Sequence, residues 1–228
     1  MSGLTDIRAC VFDAYGTIFD FASAAAHCPD IPEEKRGVLT ALWREKQLQY
    51  TWLRTLQGRY ADFWQVTSDA LEFALDSVEI DAPGLHAHLM GLYLTLPAFP
   101  EVPETLRILR GTGVVTAILS NGTPSMLAAA VRGAGLEGLF DTVLSVDAIG
   151  AYKTDPRVYA YALGELGTAA TQVSFQSSNA WDAFAASAFG MRVVWCNRYG
   201  QRRERLPGSP DYEVRSLMEL PALLSIGH

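Results

Sequence analysis

The sequence predicts an α/β fold in which a parallel sheet carries helices on both faces and is interrupted by an all-helical insert. Two observations carry this: short apolar runs alternate with amphipathic stretches along most of the chain, and residues 20–96 break the alternation without offering a strand. Taken in order, residues 9–12 (Ala-Cys-Val-Phe) read as a buried strand that stops at Asp13. In the insert, residues 40–56 and 60–75 read as helices, with Leu39, Leu42 and Trp43, then Leu53 and Leu56, at helical spacing. Residues 84–96 offer a third helix, and 22–26 a short alanine-rich loop or helix start. Pro97 and Pro100 bound the insert on its far side. Beyond it, residues 104–110 predict a helix and 114–119 a strand ending at Ser120-Asn121-Gly122. A helix over 125–134 follows, led by Pro124 from a place where a missing N–H costs little. The rest alternates: strand 142–146, helix 157–166, strand 172–176 ending at Ser177-Ser178-Asn179, helix 182–189 and strand 191–196. The resulting division is a core of residues 1–19 and 97–228 and a helical cap of residues 20–96. Parallel strands need such crossovers, and open α/β sheets hold their ligands at the carboxyl ends of the strands.

Composition limits the partners. The chain has 228 residues, 49% hydrophobic and 19% charged, which suits one sizeable core with an insert and excludes disordered and fibrous classes. A net charge of −7 argues against nucleic acid or an anionic membrane as partner. No apolar run approaches the roughly 18 residues of a membrane span, and residues 1–7 lack the pattern of a secretory leader. These features predict a soluble, cytoplasmic protein. Cys10, Cys28 and Cys196 are scattered, so neither a disulfide framework nor a zinc site is expected, and the thiols are taken as inert. His86 and His88 diverge on a helix, while His27 and His228 fall in a loop and at the terminus. All four histidines are expected at the surface. The basic stretch at 202–205 reads as a solvated turn.

The chemistry gathers where strands stop. Asp13 precedes a turn that Gly16 permits, and a carboxylate fixed beside backbone N–H donors can act as a nucleophile. Ser120 and Asn121 end the next strand with a hydroxyl and an amide. Lys153 lies in Tyr-Lys-Thr-Asp-Pro after the third strand, and Asp182 closes Ser-Ser-Asn-Ala-Trp-Asp after the fourth. Each alone is an ordinary turn or cap residue. Four consecutive strand ends carrying Asp, Ser-Asn, Lys and Asp point to a single catalytic set.

The runs Phe12-Asp13-Ala14-Tyr15-Gly16-Thr17, Leu119-Ser120-Asn121-Gly122, Tyr152-Lys153 and Ser177-Ser178-Asn179-Ala180-Trp181-Asp182 resemble the haloacid dehalogenase superfamily. With the cap segments Leu42-Trp43-Arg44-Glu45-Lys46-Gln47-Leu48-Gln49-Tyr50-Thr51-Trp52 and Arg59-Tyr60-Ala61-Asp62-Phe63, the chain is similar more narrowly to the L-2-haloacid dehalogenases. The resemblance implies a Rossmann-like core with a helical cap, and hydrolysis of short (S)-2-haloacids to (R)-2-hydroxy acids and halide through an aspartyl ester on Asp13. It implies that Ser120, Lys153 and the amides around Ala14 and Tyr15 hold the substrate carboxylate without metal or other cofactor. Asp182 would polarise water, and Arg44 and Asn121 would stabilise the halide with Phe63 beside it. Thr17, Tyr159, Ser177 and Asn179 would complete the polar shell, with Leu48 and Trp181 lining an apolar pocket for the alkyl group. A homodimer through the aromatic-rich cap helix is likewise implied.

Related phosphatases carry a second Asp two residues after the nucleophile, as acid for an alkoxide leaving group whose conjugate acid has a pKa of roughly 16. Here that position is Tyr15. Halide leaves without a proton, so the substitution separates the two chemistries. A Mg²⁺-dependent phosphatase or phosphonatase on the same scaffold, and a non-catalytic binding protein, are the alternatives. Three positions depart from the family pattern: Thr154 where Pro is common, loosening the Lys153 loop; Glu45 where Gln is frequent; and Gln176, a buried amide that needs partners and a local adjustment.

Overall fold

The computed structural model describes residues 3–21, 28 and 30–224; the alanine-rich stretch at 22–26, His27 and His228 lie outside the described residues. A six-stranded sheet in the order β3-β2-β1-β4-β5-β6 forms the core, with every pairing parallel. The strands are β1 (Ala9–Phe12), β2 (Val115–Ser120), β3 (Thr142–Ser145), β4 (Val173–Ser177), β5 (Arg192–Cys196) and β6 (Tyr212–Val214). Apolar β1 is buried along its whole length, as a central strand covered on both faces must be. Its register places Phe12 level with Ile118 of β2 and Gln176 of β4. Asp13, Ser120-Asn121 and Ser177 therefore leave the sheet along one edge, on either side of the strand where the order reverses. That crevice is where an open α/β sheet binds its ligand.

Between β1 and β2 the chain forms α1 (Glu33–Leu56), α2 (Phe63–Ser77), α3 (Leu85–Leu92) and α4 (Val102–Gly111). The first two pack against each other, Leu39 and Trp43 on one and Phe63, Val66 and Ala70 on the other being buried. Entry and exit of the helical block run side by side, since Phe19 bridges Ala98 and the Asp20 N–H donates to the Pro97 carbonyl at 2.9 Å. The remaining helices are α5 (Pro124–Gly133), α6 (Pro156–Leu166), α7 (Ala180–Phe189) and the short α8 (Leu220–Leu223). Thr123 caps α5 and Asp155 caps α6 through their side chains, while Gly167 and Gly190 end α6 and α7 in the left-handed conformation.

The helix expected over 84–96 ends at Leu92, and two helix starts differ from the sequence reading by three residues or more. The first cap helix begins at Glu33 rather than 40, because Glu-Glu-Lys-Arg-Gly offers no apolar stripe; Pro32 and two acidic residues nevertheless suit a helix start. The second begins at Phe63 rather than 60, where the Asp62 carboxylate accepts the Gln65 N–H at 2.8 Å. The sixth strand, β6, is an addition: three residues are too few to show a pattern, and the open side of β5 selects them. Among the described residues, no helix is long and apolar enough to cross a membrane. Arg202, Arg203 and Arg205 are exposed.

Candidate active site

Asp13 begins where β1 ends and is almost wholly buried. Its Oδ2 accepts from the Thr17 hydroxyl at 3.1 Å and the Asn179 amide at 2.7 Å, whereas among the described residues Oδ1 accepts only from Lys153 Nζ at 3.0 Å. Since each carboxylate oxygen has about two acceptor sites, Oδ2 is saturated and Oδ1 keeps a lone pair. Thr17 is itself fixed, accepting the Ser178 N–H at 2.7 Å. Gly16, at φ 89°, takes a turn conformation that a side chain would strain. Among the described residues, the N–H groups of Ala14 and Tyr15 donate to no protein acceptor, which leaves them available to an anion.

Lys153 joins two buried carboxylates, its Nζ lying 3.0 Å from Asp13 and 2.8 Å from Asp182. Burial pulls its pKa down, but the two carboxylates and their hydrogen bonds outweigh that and hold it above the ordinary lysine value. Asp182 is fully buried, and its other oxygen accepts from the Tyr159 hydroxyl at 2.8 Å. Burial raises its pKa above the usual carboxylate value against the opposing pull of Lys153, with the Asp13 charge adding to the rise. A carboxylate so placed is a stronger base than one in water. The Lys153 N–H donates to Asn121 Oδ1 at 3.1 Å, and the preceding Tyr152 hydroxyl donates to the Ala61 carbonyl at 2.5 Å. The loop expected to be loosened by Thr154 is thus braced by the sheet edge and by the helical insert; its Lys153–Thr154 peptide is cis.

The cap reaches this cluster through Arg44. One guanidinium nitrogen donates to Asn179 Oδ1 at 3.2 Å, and the group lies 4.8 Å over the Phe21 ring. Asn179 spends its NH₂ on Asp13 and on the Tyr15 carbonyl at 3.1 Å, so one amide links cap arginine and strand-end carboxylate. Two anions and two cations converge, with Ser120 and Asn121 at the same edge. A model of the haloacid dehalogenase-like hydrolases matches residues 7–190. The chain belongs to that family.

Within these hydrolases it is 46% identical over 223 residues to (S)-2-haloacid dehalogenase 1 of Pseudomonas sp. (strain CBS-3), with 96% of each chain covered. Among solved structures it matches a dehalogenase with an intermediate complex at a TM-score of 0.95 and 43% identity, covering 98% of this chain and 99% of that one. It also matches the L-2-haloacid dehalogenase from Xanthobacter autotrophicus with chloropropionic acid covalently bound, at a TM-score of 0.89 and 37% identity, covering 95% and 98%.

The fold of this dehalogenase-like hydrolase brings Asp13, Thr17, Lys153, Tyr159, Asn179 and Asp182 into one bonded set with Arg44. The Ser177 hydroxyl accepts the Asn179 N–H at 3.2 Å and so shapes the turn that carries Asn179. Ser120 Oγ accepts the Gly122 N–H at 3.1 Å, leaving its own proton to donate. Phe63 stacks on Tyr15 with ring centroids 5.9 Å apart. Tyr15 fills the place of the phosphatase acid with a buried ring, its hydroxyl without a partner among the described residues; a Cβ on Gly122 would lie 2.9 Å from that ring. Trp181 is half-buried, edge-on to Trp52 at 5.6 Å, and lines a largely apolar groove of about 620 Å³ that also borders Tyr159. Leu48 is half-buried one turn before Trp52 on α1. Glu45 faces solvent; the Gln176 amide donates to the Ser174 hydroxyl at 2.5 Å, but among the described residues its buried Oε1 has no partner, so the expected adjustment is only half made. All three cysteines are buried and free, with burial pushing the Cys10 thiol up to about 12. His86 is half-buried against Ser68, a departure from the expected surface position. Cys28, Asp30 and His88 bring ligand atoms within 4.8 Å of one another on the cap, a group that includes neither Asp13 nor Asp182.

Sequence reasoning passed over Gln47, Thr67 and Tyr93, which lie behind Arg44. The signal was present, because Gln47 follows Leu39 and Trp43 at the same four-residue spacing on the buried face of α1.

Proposed function

We propose that this chain is an (S)-2-haloacid dehalogenase, converting short (S)-2-haloalkanoic acids into (R)-2-hydroxy acids and halide. The observation that carries this is the pairing of a strand-end carboxylate, free at one oxygen, with an aromatic ring where a phosphatase holds its acid. The names of the relatives and the covalent chloropropionate complex of the Xanthobacter protein support the same chemistry.

The substrate carboxylate is held by the Ser120 hydroxyl and the Ala14 and Tyr15 N–H groups, beside Lys153. Asp13 Oδ1 attacks C2 from the side opposite the halogen; the new C–O bond forms as the carbon–halogen bond breaks, inverting the centre. Halide departs toward Arg44 and the free NH₂ of Asn121, beside Phe63. Water, deprotonated by Asp182, then attacks the aspartyl ester carbon. The bond between that carbon and the substrate oxygen then breaks, the proton of the added hydroxyl passes to the departing alkoxide, which leaves as the hydroxy acid, the Asp13 carboxylate is restored, and Asp182 gives up its proton to solvent. Lys153 offsets negative charge in both steps, so the reaction needs no metal ion in this reading. Arg44 contributes from the cap and makes closure depend on an anion. The same reading makes the protein a cytoplasmic homodimer joined through α1, whose exposed Leu53 and Leu56 suit a contact.

Halide release from each enantiomer of 2-chloropropionate, with EDTA present and Asp13→Asn as control, tests the function. Release from the S enantiomer alone, absent in the variant, is expected. No release from either enantiomer, or turnover only of phosphate compounds with Mg²⁺, would overturn it.

A further inference from the structure

We infer that Gln47 is a positioning residue for the reaction, a neutral acceptor that aims the Arg44 guanidinium at the departing halide without cancelling its charge. The inference rests on the reading of Arg44 given above.

The buried face of α1 is Leu39, Trp43, Gln47 and Thr51, and Gln47 is 1% exposed. An amide in such a seam is costly unless its polar atoms are spent. Here they are. Nε2 donates to Thr67 Oγ1 at 2.7 Å and to the Tyr93 hydroxyl at 3.2 Å, while Oε1 accepts from Arg44 Nη1 at 2.6 Å. The direction of the amide is dictated from behind. Thr67 spends its proton on the Phe63 carbonyl at 2.6 Å, so toward Gln47 it can only accept. The NH₂ must therefore face α2, and the carbonyl must face the arginine. A reversed amide would set donor against donor at Arg44 and acceptor against acceptor at Thr67.

This chain of one-way hydrogen bonds begins on a buried backbone carbonyl and ends at the guanidinium. Its two terminal nitrogens are held by Gln47 and by Asn179, and its face by Phe21. An arginine has five N–H groups in a fixed plane; those left over project from a plane the protein has set. A glutamate at 47 would hold the arginine as firmly but neutralise it, whereas the amide orients and leaves the charge for an anion.

Two measurements separate this from a packing role: the single-turnover rates of halide release and of ester hydrolysis with (S)-2-chloropropionate, and bromide affinity from ⁸¹Br NMR line broadening. Gln47→Met keeps the volume and removes the acceptor. Its halide-release rate and bromide affinity are each expected to fall about 10-fold, with ester hydrolysis within about twofold. Gln47→Glu is expected to weaken bromide binding at least as much, because its carboxylate pairs with Arg44. Leu39→Ala, on the same face and without a polar role, is expected to lower Tm while leaving the ratio of the two rates unchanged. Unaltered bromide affinity in both Gln47 variants, or an equal fall of both rates in Gln47→Met, would overturn the inference. Should the wild-type protein release no halide yet bind bromide in a Gln47-dependent way, the dehalogenase reading fails and the role of Gln47 stands.

Discussion

At the carboxyl ends of β1 and β4, an ammonium lies between two carboxylates; on the inner face of α1, an amide, a hydroxyl and a phenol meet with no charge among them. Both groups are out of water, and both touch the site through Asn179 or Arg44. Their physics differs. In the core cluster, attraction between full charges must offset the desolvation of three ions, and any one left alone is an uncompensated buried charge. In the cap network the amide, hydroxyl and phenol are neutral, so losing one leaves an unsatisfied polar group but no unpaired buried charge. In the proposed reaction the charged cluster supplies the reacting groups, while the neutral network sets the angle of Arg44. A nucleophile and a base need charge at a fixed place, and a cationic halide donor needs its direction set without its charge being cancelled.

The largest expected effect strikes the charged side. Lys153→Met leaves Asp13 and Asp182 facing each other without a cation, and urea unfolding should show a loss of about 3–5 kcal/mol. Halide release should fall by at least about 100-fold. A stability change under about 1 kcal/mol would erase the contrast drawn above, since that is what a neutral hydrogen bond contributes.

The second expectation sharpens the contrast through pH. Burial, opposed by Lys153, holds the pKa of Asp182 above the ordinary 3.8, and only the ionised form accepts a proton from water. Ester hydrolysis should therefore be lost as pH falls through a midpoint above 3.8, and activity should be retained at higher pH. Removing Lys153 withdraws the favourable charge, so any residual activity of Lys153→Met should show that midpoint moved further up. Single-turnover profiles of the two proteins decide it; a midpoint at or below 3.8 contradicts a base buried in this way.

The smallest effect lies between the two regions. Tyr15 packs its ring on Phe63 and Tyr93 but leaves a buried hydroxyl without a partner among the described residues. Tyr15→Phe keeps the ring contacts and removes the unsatisfied group, and stability should rise by about 1 kcal/mol. Destabilisation of that size in urea would mean that the hydroxyl is satisfied in solution.

Much of this was legible before any coordinates. Asp13, Ser120, Lys153 and Asp182 each follow an apolar run, and in a parallel sheet such positions fall along one edge, so their convergence could be read from strand endings alone. The role of Tyr15 was legible as chemistry, from the missing acid. Less visible was what stands behind the arginine. Gln47 sits on a stripe begun by Leu39 and Trp43, but its partners Thr67 and Tyr93 come from other helices, and linear spacing says nothing about which helix lies opposite. Trp181 is a like case: it packs edge-on against Trp52 of the first cap helix, a pairing that its place in a motif does not reveal.

The sequence by itself determined the alternation of strands and helices, the helical insert and the strand-end positions of the reacting groups, because backbone periodicity and chain reversal are local properties. The tertiary structure decided which oxygen of Asp13 stays free, how Lys153 divides between two carboxylates and which way the Gln47 amide faces. Those depend on hydrogen-bond partners far apart in the chain, and a donor has no direction until the fold has supplied its acceptor.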